Sequence, residues 1–156
     1  MNWPRFIGSV AACQAAGGLG AIATQDGLKD WYPKLEKPSF TPPGKVFGPV
    51  WTTLYLLMGI AEYIVSQHDG DGENRERAES LFALQLGMNV GWSFLFFKLK
   101  SPFAALIELI ALLGAVIATI AAFARISRLA AALLAPYLLW SMFATVLNAS
   151  IWRLNR

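Results

Sequence analysis

Trp51, Trp92 and Trp140 lie in three separate apolar runs. Each sits on a stripe of residues at helical spacing. Steps of three and four put Phe47, Trp51, Tyr55, Met58 and Glu62 on one face, and Gln85, Asn89, Trp92 and Phe96 on another. Tyr137, Trp140, Ala144, Leu147 and Ile151 make the third. Indole and phenyl rings offer flat apolar walls, and an Asn amide or a Tyr phenol can orient whatever lies between them. The chemistry such a set supports is capture of a flat, apolar ligand. Charged residues gauge depth. Trp51 follows Lys45, and Trp92 precedes Lys98, by six positions each. At the helical rise both rings lie about 9 Å below one membrane face. Trp140 precedes Arg153 by thirteen positions, which predicts a level roughly 20 Å down. Over this group runs KPSFTPPGKVFGPVW, from Lys37 to Trp51, with Pro38, Pro42, Pro43 and Pro49. It reads as a stiffened lid on an aromatic pocket.

Plainer explanations compete. Trp and Tyr gather at membrane interfaces as belts, which accounts for Trp3, Trp31 and Trp152 and is a rival for Trp51 and Trp92. Core packing is the rival for Trp140, and interhelical hydrogen bonds are the rivals for Asn89 and Asn148. Gln14, Glu62 and Glu108 complete the polar residues inside apolar runs, where such groups are costly and turn inward. Glu108 has no partner that the sequence identifies.

Other chemistries find little support. The single His, His68, falls in a loop on the face opposite the lid, and Cys13 is alone. Neither a metal cluster nor a Ser-His or Cys-His pair emerges, and no imidazole reaches the pocket to ligate a haem iron. DGDGEN (69–74) places Asn74 where a calcium loop needs glycine. GGLG (17–20) lacks the Lys-Ser/Thr of a phosphate loop. A net charge of +3 spread along the chain excludes a nucleic-acid surface.

The elements that must hold these residues are membrane helices. Of 156 residues, 56% are hydrophobic, and mean hydropathy is +0.47. The excess sits in five runs, near 5–25, 45–67, 78–98, 102–124 and 129–152, each long enough to cross a bilayer. The expected fold is all-α: one five-span membrane bundle covering residues 1–156, with a long first loop at 25–44. The small residues of the first run also fit a signal peptide, but the other helices need it to close the bundle. Pro49 and Pro136, near the starts of spans, predict kinks. Of thirteen Lys and Arg, five fall on one side (Arg5, Arg75, Arg77, Arg125, Arg128) and eight on the other. The positive-inside rule then places the first loop and the C-terminus in the cytoplasm. The lack of a recognisable targeting segment leads to the expectation of a bacterial membrane. Gly87-Met-Asn-Val-Gly91 is a GxxxG, and Ala16 with Gly20 gives a second small-residue face. Both predict close helix approach, either within the bundle or at a homodimer seam.

Three stretches carry a family resemblance: WYPKLEKPSFTPPGKVFGPVWTTLYLLMG (31–59), NVGWSFLFF (89–97) and PYLLWSMFATVLNASIWRLN (136–155). In order and spacing they resemble the TspO/translocator protein family, also called tryptophan-rich sensory proteins or peripheral-type benzodiazepine receptors. The resemblance covers essentially the whole chain. It implies a five-helix bundle, usually a homodimer, with Gly87 and Gly91 as candidates for the seam. It implies binding of protoporphyrin IX and related tetrapyrroles, and of synthetic isoquinoline and benzodiazepine ligands. Tyr32, Phe47, Asn89, Trp92, Ala144 and Leu147 would join Trp51 and Trp140 in the pocket, with Tyr55 from the stripe that holds Trp51. The porphyrin enters as ligand; no cofactor or metal is expected.

The resemblance leaves the use of the ligand open. Tetrapyrrole regulation or stress signalling is the leading expectation. Light- and oxygen-dependent porphyrin breakdown is an alternative, with Trp51 and Trp140 as the redox-active side chains, and tetrapyrrole or sterol transport is another. Transport finds no inverted repeat to support it. The sterol-recognition stretch departs from the family: Val146 to Arg153 holds no Tyr, so cholesterol binding is not expected. Lys29, Lys34 and Lys37 are placed to meet the propionates of a porphyrin.

Overall fold

Hydropathy and helix length part company at the membrane surface. The computed structural model describes residues 2–70 and 72–156. Helix α1 runs Trp3–Asp30, α2 Gly44–Ser66, α3 Gly72–Ser93, α4 Pro102–Ile126, α5 Arg128–Leu133 and α6 Ala135–Leu154. A π-helical turn, Phe94–Lys98, prolongs α3, and a 3-10 turn, Tyr32–Lys34, follows α1. Five helical segments are long and apolar enough to cross a bilayer, with α5 and α6 making one of them. The expected all-α five-span bundle is therefore present. The first loop is shorter than its expected 25–44, because α1 continues through Gln25-Asp26-Gly27-Leu28-Lys29-Asp30. These residues leave the hydrocarbon without leaving the helix; hydropathy marks the first event only. The charged Glu73–Arg77 stretch likewise belongs to a helix, the start of α3.

The caps follow the residues available. Asn2 accepts the Arg5 amide at the start of α1. Ser101 accepts the Ala104 amide before α4, and Ser127 accepts the Ala130 amide before α5. The two proline kinks fare differently. The fifth span breaks at Leu134, just ahead of Pro136 in the first turn of α6. There the missing N–H and the ring prevent the α5 ladder from continuing. Helix α2 is unbroken through Pro49. Thr52 and Thr53 hydroxyls bond back to the Gly48 and Pro49 carbonyls at 2.9 Å each.

Helices α1 and α2, α3 and α4, and α4 and α6 are the main neighbours. Their inner faces fill the half of the bundle away from the first loop with Met58, Ala61, Val65, Leu112, Val116 and Phe123. Phe82 stacks on Phe123 at 5.7 Å. Glycine permits a close crossing of α1 and α2. A Cβ at Gly59 would stand 2.7 Å from the Val10 Cα, so α1 and α2 meet there backbone to backbone. Outward faces are apolar, with Ile7, Ile22, Ile107, Ile117 and Val146 exposed, as a helix facing lipid tails requires.

Candidate ligand-binding site

The half of the bundle under the first loop is hollow. A cavity of about 720 Å³ lies between α1, α2, the end of α3, and α6, within the range usual for small-molecule sites. Tyr32, Phe47, Trp51, Tyr55, Asn89, Trp92, Trp140, Ala144 and Leu147 all line it. The rings meet one another around its wall. Trp51 stacks on Tyr55 at 5.5 Å and turns its edge to Trp140 at 6.4 Å. Trp140 packs on Phe47 at 5.7 Å and on Phe143 at 5.4 Å. Trp92 stacks on Phe96 at 5.3 Å.

The polar groups of this wall bond mainly to the protein itself. Tyr55 donates its hydroxyl to Asn89 Oδ1, and Asn89 Nδ2 donates to the Tyr137 hydroxyl at 3.1 Å. Trp92 Nε1 donates to Asn148 Oδ1 at 3.0 Å, and Asn148 Nδ2 donates to the Pro102 carbonyl at 2.7 Å. These bonds tie α2, α3, α4 and α6 together and lock the ring orientations. Asn89 and Asn148 thus make interhelical bonds, the rival explanation for both, and both also remain on the cavity surface. A ligand there meets a wall that gains most from apolar area and asks for few hydrogen bonds.

The first loop closes one end of the cavity. Lys37 Nζ donates to the Tyr32 and Leu35 carbonyls at 2.9 and 2.8 Å and lies 4.8 Å over the Tyr32 ring. Burial pushes the Tyr32 phenol above its ordinary pKa. Asn155 grips the loop from the end of α6. Its Oδ1 accepts the Glu36 amide at 2.9 Å, and its Nδ2 donates to the Glu36 carbonyl at 2.8 Å. Phe40 reaches Phe143 at 6.3 Å. Of the three loop-side lysines, Lys37 lines the cavity, whereas Lys29 and Lys34 are exposed and outside its lining. Two of the Lys37 ammonium's three donors are used, which leaves one for a ligand.

One level differs from expectation. Trp140 packs against Phe47 and Trp51, in the first two turns of α2, instead of lying well below them. The depth was measured from Arg153, but α6 rises past the start of α2 until Asn155 meets Glu36 in the loop. The charges at the two helix ends do not mark one plane. The remaining small-residue candidates divide. Gly87 is exposed on α3 with open space around it. Gly91 turns toward α4, where a Cβ would stand 4.0 Å from Glu108 Oε1.

Of the parts of the wall that sequence reasoning missed, two are instructive. The first is α1, which contributes Gln14, Gly17, Gly20, Ala21 and Thr24. AAGGLGA was read as a packing face, and in part it is one: a Cβ at Gly17 would stand 2.6 Å from the Tyr55 ring. The same absence of side chains leaves room for the cavity. The second is Phe97. The wide π turn brings Phe96 and Phe97 inward together, at 2% and 8% exposure, which a regular 3.6-residue period does not do.

Comparison with known proteins agrees with this architecture. The model of the TspO/MBR family matches residues 9–153. A tryptophan-rich protein TspO from Archaeoglobus fulgidus is 44% identical over 155 residues, covering 99% of both chains. A tryptophan-rich sensory protein from Cereibacter sphaeroides is 38% identical over 155 residues, 99% of this chain and 94% of that one. The human translocator protein is 43% identical over 131 residues, 83% of this chain and 77% of that one. The chain is a multi-pass membrane protein and belongs to the TspO/MBR family.

Proposed function

We propose that the chain binds a flat, largely apolar macrocycle, a porphyrin-type tetrapyrrole such as protoporphyrin IX, in the cavity beneath the first loop, in a regulatory or stress-sensing role. The observation that carries this reading is that Trp51, Trp92 and Trp140, from three helices, all line one cavity of about 720 Å³. Rings on two sides suit a planar ligand, and the self-satisfied polar wall suits one whose core is apolar. The spare donor of Lys37 is placed for a single ligand carboxylate. Isoquinoline- and benzodiazepine-type compounds, smaller and aromatic, fit the same description.

Titration with protoporphyrin IX, followed by tryptophan fluorescence, tests the reading. Saturable quenching is expected, weakened in Trp51→Phe and Trp140→Phe. Wild-type affinity and quenching in both variants would remove the pocket from consideration.

A second reading rests on Trp51 and Trp140 lying 6.4 Å apart on the cavity surface. An indole on the cavity surface can lend an electron to the photoexcited porphyrin and recover it as molecular oxygen adds to the macrocycle, so that the porphyrin is the species oxidised and oxygen supplies the oxygen atoms of the opened ring. New bilin-like absorption on illumination, lost in both variants, would favour this enzymatic use. Bleaching equal to that of free porphyrin in detergent would reject it. Gly87, open on the outer face of α3, supports a homodimer seam at that position, whereas Gly91 turns toward α4; crosslinking in membranes tests it. The charge distribution supports a cytoplasmic first loop.

A further inference from the structure

Helices α1 and α2 touch over only part of their length. Away from the loop they are in backbone contact at Gly59 and Val10, and Gly17 packs on Tyr55. Nearer the loop α1 leans toward the end of α3 instead. A Cβ at Gly27 would stand 2.5 Å from the Phe97 carbonyl oxygen, and one at Gly20 would stand 3.3 Å from Ser93 Oγ. Between the two helices a gap remains. Its edges are Gly18 and Ala21 on α1, and Gly44, Gly48 and Thr52 on α2. These residues line the cavity and are exposed, as residues at the rim of an opening are. A Cβ added at Gly18, Gly44 or Gly48 would meet nothing within 4 Å. Gln14 Nε2, bonded to the Thr52 carbonyl at 3.1 Å, forms the sill.

The height of this gap decides what it opens onto. Gly48 lies three positions beyond Lys45, and Thr52 seven, which puts them roughly 5 and 10 Å below the charged level. Ala21 and Gly18 lie five and eight positions before Asp26, the first charged residue at that end of α1, roughly 8 and 12 Å below it. All belong to spanning helices. The gap therefore faces lipid tails. The route over the top is obstructed by comparison. Two hydrogen bonds from Asn155 hold Glu36, Lys37 pins the turn before it, and Phe40 rests against Phe143.

We propose that the ligand reaches the cavity sideways, from the bilayer, through a window between α1 and α2 whose small residues, Gly18, Ala21 and Gly48, set the size of what passes. This rests on the reading of the cavity as a site for a flat apolar ligand. Such a molecule concentrates in the membrane, because transfer of its surface out of water is favourable. A window at tail depth admits it without a return to water, and the latched loop stays in place meanwhile. The absence of side chains along both edges has a use that close packing does not explain, since at Gly18 and Gly48 nothing is packed.

The test is stopped-flow tryptophan quenching, with full-length protein in phosphatidylcholine vesicles mixed with vesicles preloaded with protoporphyrin IX. Two graded series, Gly48→Ala, Leu and Trp, and Gly18→Ala, Leu and Trp, narrow the window progressively. The alanine members meet no neighbour and keep the fold. An obstacle on the path slows passage in both directions, so association and dissociation rates fall together and affinity moves less than either. The expected fall is about tenfold for leucine and larger for tryptophan, against the one to three decades over which association rates usually vary. Asn155→Ala, which frees the loop, is expected to leave the association rate unchanged. Wild-type rates throughout both series, or an Asn155→Ala variant that associates about tenfold faster, would overturn the window in favour of the loop. Absence of saturable quenching in the unmodified protein would overturn the porphyrin reading and the window with it.

Discussion

The two halves of the bundle are built from the same helices and end up opposite in character. Away from the loop, α1 and α2 meet at Gly59, Phe82 stacks on Phe123, and side chains fill the interior. Toward the loop the helices separate, and the interior is a cavity walled by rings that bond to each other. The difference teaches what glycine does in a membrane helix. Where a partner backbone lies opposite, as at Gly59, it brings helices together. Where none does, as at Gly18 and Gly48, it leaves an opening. Spacing in the sequence is similar in both places; the partner decides.

The comparison can be broken most severely in the packed half. Phe123→Ala removes a fully buried ring and is expected to cost about 3 kcal/mol in detergent unfolding, with ligand affinity little changed. The lower end of the usual range applies because lipid, not water, surrounds the unfolded helices. Gly59→Ala forces α1 off α2 and is expected to cost about 1–3 kcal/mol by the same measurement. In the hollow half the currency changes from stability to binding. Trp140→Ala is expected to weaken porphyrin binding about tenfold, or ~1.4 kcal/mol, in a fluorescence titration, with a smaller loss of melting temperature than Phe123→Ala. Tyr55→Phe leaves Asn89 Oδ1 without its donor and is expected to cost about 0.6–1.7 kcal/mol of stability. Smallest is Gly48→Ala, expected to gain about 0.5–1 kcal/mol, because its Cβ meets open space. A Gly48→Ala penalty as large as that of Gly59→Ala would show that the two halves are packed alike.

Much of the site was legible because the clues were local. The stripes through Trp51, Trp92 and Trp140 follow from helical period alone, and all nine residues assigned to the pocket line the cavity. Phe97 was not legible, since the π turn that places it breaks that period. The level of Trp140 was misjudged because charges at helix ends report the membrane surface, not the offset of one helix against another. The α1 wall was misread as packing because a run of small residues looks the same whether a neighbour fills the space or not.

By itself, the sequence determined that there are five spans and which stripe of the second, third and fifth turns inward. Both depend on hydropathy and a 3.6-residue repeat, properties of one segment at a time. Only the tertiary structure decided that the inward stripes enclose a hollow, that Trp140 stands level with Trp51, and that α1 and α2 part below the loop. These depend on how far each helix slides and tilts against the next, which is set by contacts such as Gly59 on Val10 and Gly27 on Phe97 between residues far apart in the chain.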